Sequence, residues 1–101
     1  MRPDEIYILG FDYTMVYDAQ ALENKDNDGE AQIDKQRIVL NPTRPPQTVN
    51  ASMVHEVLHV INYVLLGDGL RLNEAQINAL ASGCYAVLRD NPTLAVYIGG
   101  D

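Results

Sequence analysis

Three prolines, Pro42, Pro45 and Pro46, and a glycine-flanked turn, Gly67-Asp68-Gly69, frame one long stretch of this chain. Proline cannot continue a strand ladder but suits the first turn of a helix, and glycine past a helix end relieves the left-handed residue there. The stretch between them predicts a helix that starts around Pro46 to Asn50 and runs to about Leu66. It divides the chain in two, with the strand patterns of a sheet before it and a second helical pattern after it.

Before the helix, Leu9, Phe11, Tyr13, Met15 and Tyr17 fall at alternate positions in the segment Ile6 to Tyr17. That period predicts one strand with one buried face. Residues 18–29 are polar and acidic and end in Asp28-Gly29, which predicts a loop. Short strands follow over Glu30 to Asp34 and Arg37 to Asn41, a hairpin turning at Lys35, with Ile38 and Leu40 sharing a face. After the helix, Asn73 is placed as the N-cap of a second helix, and Gln76 three residues on completes a capping box. This helix is expected to reach Asp90 and to stop at Asn91-Pro92. The tail from Thr93 to Ile98 reads as a short extended segment. Strands followed by helices predict an α+β domain: a small, mainly antiparallel sheet of about three strands packed with two helices. With 101 residues the chain suits one such domain, spanning 1–101, with one modest core.

Charge narrows the partners. Fourteen acidic against seven basic residues give a formal net charge of −7, which repels phosphate backbones and anionic membranes. No nucleic-acid partner is expected. No leader or membrane-spanning run stands out either, so a cytoplasmic setting is expected. The single cysteine, Cys84, cannot close an internal disulfide; in its apolar helical surroundings it reads as a buried structural thiol.

The chemistry of the chain centres on residues 55–59, His-Glu-Val-Leu-His. Residues four apart lie one above the other on a helix, so His55 and His59 can reach one metal ion. Glu56 lies about 100° round the helix from His55, where it can reach a water held by the metal. Zinc lowers the pKa of such a water to near 7, and a carboxylate base takes its proton during attack on a carbonyl. The helical wheel supports this placement. Ser52, His55, Glu56, His59, Asn62 and Tyr63 form one polar arc, backed by Met53, Val54, Val57, Leu58, Val60, Ile61, Val64 and Leu65.

A catalytic zinc takes three protein ligands, and the chain has no third histidine. A carboxylate is the natural third. Glu74 is the first choice, because in the second helix it aligns with Ile77, Ala81, Tyr85 and Leu88 on the face turned toward the first helix; Asp68 and Asp90 are the reserves. The acidic loop invites calcium, since Asn24, Asp26, Asp28 and Gly29 track the start of an EF-hand loop. Lys35 stands where that loop needs a bidentate glutamate, so a solvated loop is the better reading. Tyr63 and Tyr85 read as packing residues.

With these residues in view, the chain resembles the zincin metallopeptidases, and among them the gluzincins, whose third ligand is a glutamate on a later helix. His55, Glu56 and His59 match the family's first motif and Glu74 the later glutamate. It is similar, more closely, to short metallopeptidase-like proteins of phages and prophages. They share a hairpin like Gly29 to Asp34, a helix carrying HExxH as in Val54 to Ile61, and a second helix ending as in Leu88 to Pro92. The resemblance implies a minimal zincin domain with Zn2+ on His55, His59 and Glu74, and Glu56 as general base. It also implies a peptide or protein substrate, paired with the strand Arg37 to Asn41 at the border of the cleft. A tail after Pro92 lying over that cleft would block it. The spacing from His59 to Glu74 is short for the larger gluzincins, and no substrate-binding lobe follows. Two other classes therefore stand beside the peptidase: a catalytically silent, zinc-stabilised regulatory or interaction module, and a structural protein whose histidines only line a polar seam.

Overall fold

A computed structural model describes residues 2–100. It shows an α+β fold: a four-stranded sheet of β1 (Glu5–Ile8), β2 (Phe11–Tyr17), β3 (Gly29–Gln32) and β4 (Arg37–Leu40), followed by the helices α1 (Pro46–Leu65), α2 (Glu74–Asp90) and α3 (Leu94–Gly99). The strand order is β1-β2-β4-β3. β1 pairs with β2 and β3 with β4 antiparallel, while β2 and β4 run parallel at the centre, with Met15 opposite Ile38. The sheet is thus mixed and has one strand more than the sequence pattern predicts.

The extra strand comes from a turn inside the segment expected to be a single strand. Leu9 and Gly10 both have positive φ, 53° and 88°, and Ile8 pairs with Phe11 across them. Two consecutive positive φ values match the right-handed twist of the strands they join. Glycine takes the second at no cost, whereas Leu9 pays roughly 1–2 kcal/mol for a conformation its Cβ resists. Leu9 and Phe11 therefore sit exposed at the hairpin tip, and only Tyr13 and Met15 of the expected stripe are fully buried.

One face of the sheet carries the core. Ile8, Tyr13, Met15, Ile38 and Leu40 pack against Val49 and Val60 of α1, with Met53 and Val57 filling in. On the opposite face of β4, buried Val39 lies under the connection 18–28, whose short 3-10 turn at Ala19–Ala21 touches β4 and whose Leu22 is buried. The turn between β3 and β4 is a 3-10 turn at Ile33–Lys35 closed by Gln36 in the left-handed region. α1 and α2 begin and end close to where the prolines, glycines and capping box place them. Asn73 Oδ1 accepts from the Gln76 amide and Gln76 Oε1 accepts from the Asn73 amide, each at 2.9 Å.

Two expectations for the C-terminal part do not hold. The tail is helical rather than extended, ending at Gly100 with φ 73°. Cys84 is exposed rather than buried, because only Ile77 and Ala81 of α2 reach the interior. Cys84 lies within about 20° of Ile77 round the helix, so it continues the same stripe beyond Ala81, the last buried residue of α2.

Candidate metal centre

α1 presents His55 and His59 one turn apart, their rings 4.6 Å between centroids and nearly perpendicular. Glu74, the first residue of α2, meets both. Its Oε1 lies 2.9 Å from His55 Nε2 and its Oε2 lies 3.0 Å from His59 Nε2. Among the described residues these three form the one cluster of His, Cys, Asp or Glu in which each offers a ligand atom within 4.8 Å of the others. The reserves lie elsewhere: Asp68 pairs with Arg71 and Asp90 with Arg89.

The donor set fits zinc. Two imidazole nitrogens and one carboxylate are the ligands of a catalytic zinc site, which keeps a fourth position open. Ligands of a tetrahedral zinc at 2.0–2.1 Å stand about 3.3 Å apart. The Glu74 oxygens would therefore withdraw from the imidazoles by a few tenths of an ångström, a small rotation for a side chain 61% exposed. The histidines are less free, with 23% and 29% of their side chains exposed.

Glu56 departs from its expected surroundings. The helical wheel groups it with the polar arc, yet it is 5% exposed and shares the inward face with Val49, Ser52 and Val60. Its Oε2 lies 2.8 Å from His55 Nδ1. Behind it stands Gly29, whose absent Cβ would come 3.3 Å from Glu56 Cγ, so the first residue of β3 makes room for this carboxylate. Burial pushes the Glu56 pKa above the ordinary carboxylate value, and the hydrogen bond and charge of His55 only partly offset it. For His55, burial disfavours the charged ring, but the hydrogen bonds and charges of Glu56 and Glu74 together outweigh it and raise its pKa.

These groups lie in an open cleft of about 960 Å³ between α1, α2 and β3. β3, not β4, borders it. β4 is held between β2 and β3, so its ladder groups are taken, whereas β3 pairs on one side only and has a free edge. The expectation that Arg37 to Asn41 would line the cleft fails because the parallel β2–β4 pairing draws that strand into the sheet. Among the described residues none of the tail lines the cleft either, so α3 does not block it. Tyr63 lines it; Tyr85 does not.

Asn62 acquires a role that residue spacing did not reveal. Its Oδ1 accepts from the Leu72 amide at 2.9 Å and its Nδ2 donates to the Leu72 carbonyl at 3.2 Å. This two-bond clamp ties α1 to the connection two residues before Glu74. Arg71 reinforces it, donating to the carbonyls of Tyr63 and Leu66 and stacking 4.4 Å above the Tyr63 ring. The only sequence-level hint was the polarity of Asn62 on the histidine side of α1.

Comparison with protein-family models, with curated proteins and with solved structures finds no match for the chain.

Proposed function

We propose that the chain is a zinc-dependent peptidase. One observation carries the proposal: ligand atoms from His55, His59 and Glu74 converge beside the buried carboxylate of Glu56, on an open cleft. Zinc would be held by the Nε2 atoms of His55 and His59 and by Glu74, and when bound supplies Lewis-acid polarisation of a carbonyl and a water of lowered pKa.

The chain's own residues do the rest. His55 donates from Nδ1 to Glu56, which leaves Nε2 unprotonated toward the metal and orients both side chains. Glu56, kept from bulk water, takes a proton from the attacking water and returns it to the leaving amine. The free edge of β3 offers backbone hydrogen bonds to an extended peptide, which favours a polypeptide substrate over a compact small molecule. A chain of net charge −7 further favours substrates that are not strongly acidic.

The test is Glu56→Gln, assayed on a library of quenched-fluorescent peptides with zinc present. The variant should keep its zinc and fold and lose on the order of 10²–10⁴ in kcat, the usual worth of a general base. Cleavage by the variant at the wild-type rate would overturn the assignment of Glu56, and no cleavage of any peptide by the zinc-loaded wild type would overturn the peptidase.

A further inference from the structure

The register of the sheet decides which backbone groups of β3 face the cleft. The Asn41 amide donates to the Asp28 carbonyl at 2.8 Å. From there the pairing continues as Gly29 with Leu40, Glu30 with Val39, Ala31 with Ile38 and Gln32 with Arg37. Hydrogen-bonded and non-bonded pairs alternate along an antiparallel ladder. Asp28, Glu30 and Gln32 therefore turn their amides and carbonyls to β4, whereas Gly29 and Ala31 turn theirs outward. Outward is the free edge of the sheet, and both residues line the cleft together with His55, His59 and Glu74. Two residues along a strand span about 6.7 Å, the spacing at which alternate residues of an extended chain present their own N–H and C=O groups.

The charges of the cleft point the same way. Besides His55, His59, Glu74 and Glu56, the charged residues that line it among the described residues are Asp28, Glu30 and Arg71. Each is matched within the protein. Asp28 pairs with Arg44 at 2.7 Å. Glu30 accepts the Glu23 amide on one carboxylate oxygen and the Asn24 amide on the other, both at 2.9 Å. Arg71 donates from all three guanidinium nitrogens, to Asp68 and to the carbonyls of Leu66 and Tyr63. A chain terminus carries a full charge, and bringing it into a cleft without an opposite charge costs it its hydration. The other polar residues there, Gln47, Thr48, Ser52, Asn78 and Ser82, are uncharged and suit peptide groups and neutral side chains.

We infer that the cleft takes the middle of an extended polypeptide rather than its end, held by the outward N–H and C=O groups of Gly29 and Ala31. Given the peptidase reading, on which this rests, the chain is an endopeptidase.

The test uses one quenched-fluorescent peptide library in two forms, with free ends and with acetyl and amide caps, on zinc-loaded protein. Both forms should be cut at internal bonds with equal kcat/KM. Cleavage that requires a free end and trims residues from it would overturn the inference and leave the peptidase standing. No cleavage of either form would overturn the peptidase reading, and the endopeptidase with it.

Ala31→Pro tests the edge. The ring removes only an outward N–H, a placement that edge strands tolerate. With fold and zinc content unchanged, KM for the best capped peptide should rise about three- to tenfold at constant kcat, the effect of losing one hydrogen bond. Binding of that peptide to the Glu56→Gln protein, read by fluorescence anisotropy, should weaken by the same factor when Ala31→Pro is added. Unchanged KM and affinity would overturn the role of Ala31. Where the proline variant fails to fold, N-methylation of the capped peptide at successive residues reads the same bonds from the substrate side. Equal binding by every methylated peptide would then overturn the docking on β3.

Discussion

Replacing Gly29 with alanine probes the seam between the sheet and Glu56. The added Cβ would stand 2.9 Å from Leu40 Cδ2, 3.1 Å from the Val39 carbonyl oxygen and 3.3 Å from Glu56 Cγ. The leucine tip can turn aside. The carbonyl cannot, because Val39 lies in the interior strand β4 and is fully buried. Relief must come from a shift of β3 or of the α1 turn that carries Glu56. Overpacking of this kind costs about 1–3 kcal/mol. Against it, alanine reduces the freedom of the unfolded chain by about 0.4–1 kcal/mol, and Gly29 needs no positive φ, so no backbone strain adds to the loss. A net destabilisation of about 1–2 kcal/mol follows, or a fall in Tm of roughly 5–15 °C for a domain of this size. Urea unfolding followed by circular dichroism, with unchanged m-value, measures it; Gly67→Ala, where a Cβ meets nothing, should stay within about 0.5 kcal/mol of wild type. Because the displaced group is Glu56, turnover should fall while zinc affinity holds. A Gly29→Ala protein as stable as wild type would refute the claim that β3 is fitted against the Glu56 side chain.

Two further outcomes follow from individual contacts. Asn62→Ala removes both bonds of the clamp on Leu72, so Glu74 should lose its fixed approach to the histidines. Zinc affinity, measured by competition with a chromogenic chelator, should weaken about 10–100-fold, the usual effect of losing a group that orients a ligand. Glu30 accepts hydrogen bonds from the amides of Glu23 and Asn24; burial works against its charged form, but these bonds prevail and hold its pKa below 4.5. A carboxylate with a depressed folded-state pKa contributes stability that is complete above its unfolded value and is lost as pH falls through the folded one. The stability gap between wild type and Glu30→Gln should therefore be widest near neutrality and shrink below about pH 4.5.

Both major helices were legible because their signals are local. Pro45-Pro46, the glycine-flanked turn and the Asn73–Gln76 box act over one turn of chain, and Ile77 and Ala81 mark the inward stripe of α2 by spacing alone. That His55, His59 and Glu74 come together was legible for the same reason, since the two histidines share a face and Glu74 heads that stripe. What escaped depends on contacts distant in sequence. The parallel β2–β4 pairing inserts a late strand between early ones and moves the free edge to β3. The hairpin at Leu9-Gly10 lacks the asparagine or aspartate that usually precedes glycine in such turns, so the alternation ran through it. The space beside Glu56 depends on Gly29, a residue 27 positions away. The exposure of Cys84 reflects how little of α2 is covered by α1, which no helical wheel contains.

Zinc binding tests the central claim most directly. Protein prepared without chelator, and without a histidine tag, should carry one zinc per chain by elemental mass spectrometry, and His59→Ala should carry none. At a hundredfold excess of zinc over its dissociation constant the native state gains about 2.7 kcal/mol, so a chelator should lower Tm by roughly 10–20 °C. Protein that holds no zinc, takes none up and melts at the same temperature with and without chelator would contradict the account.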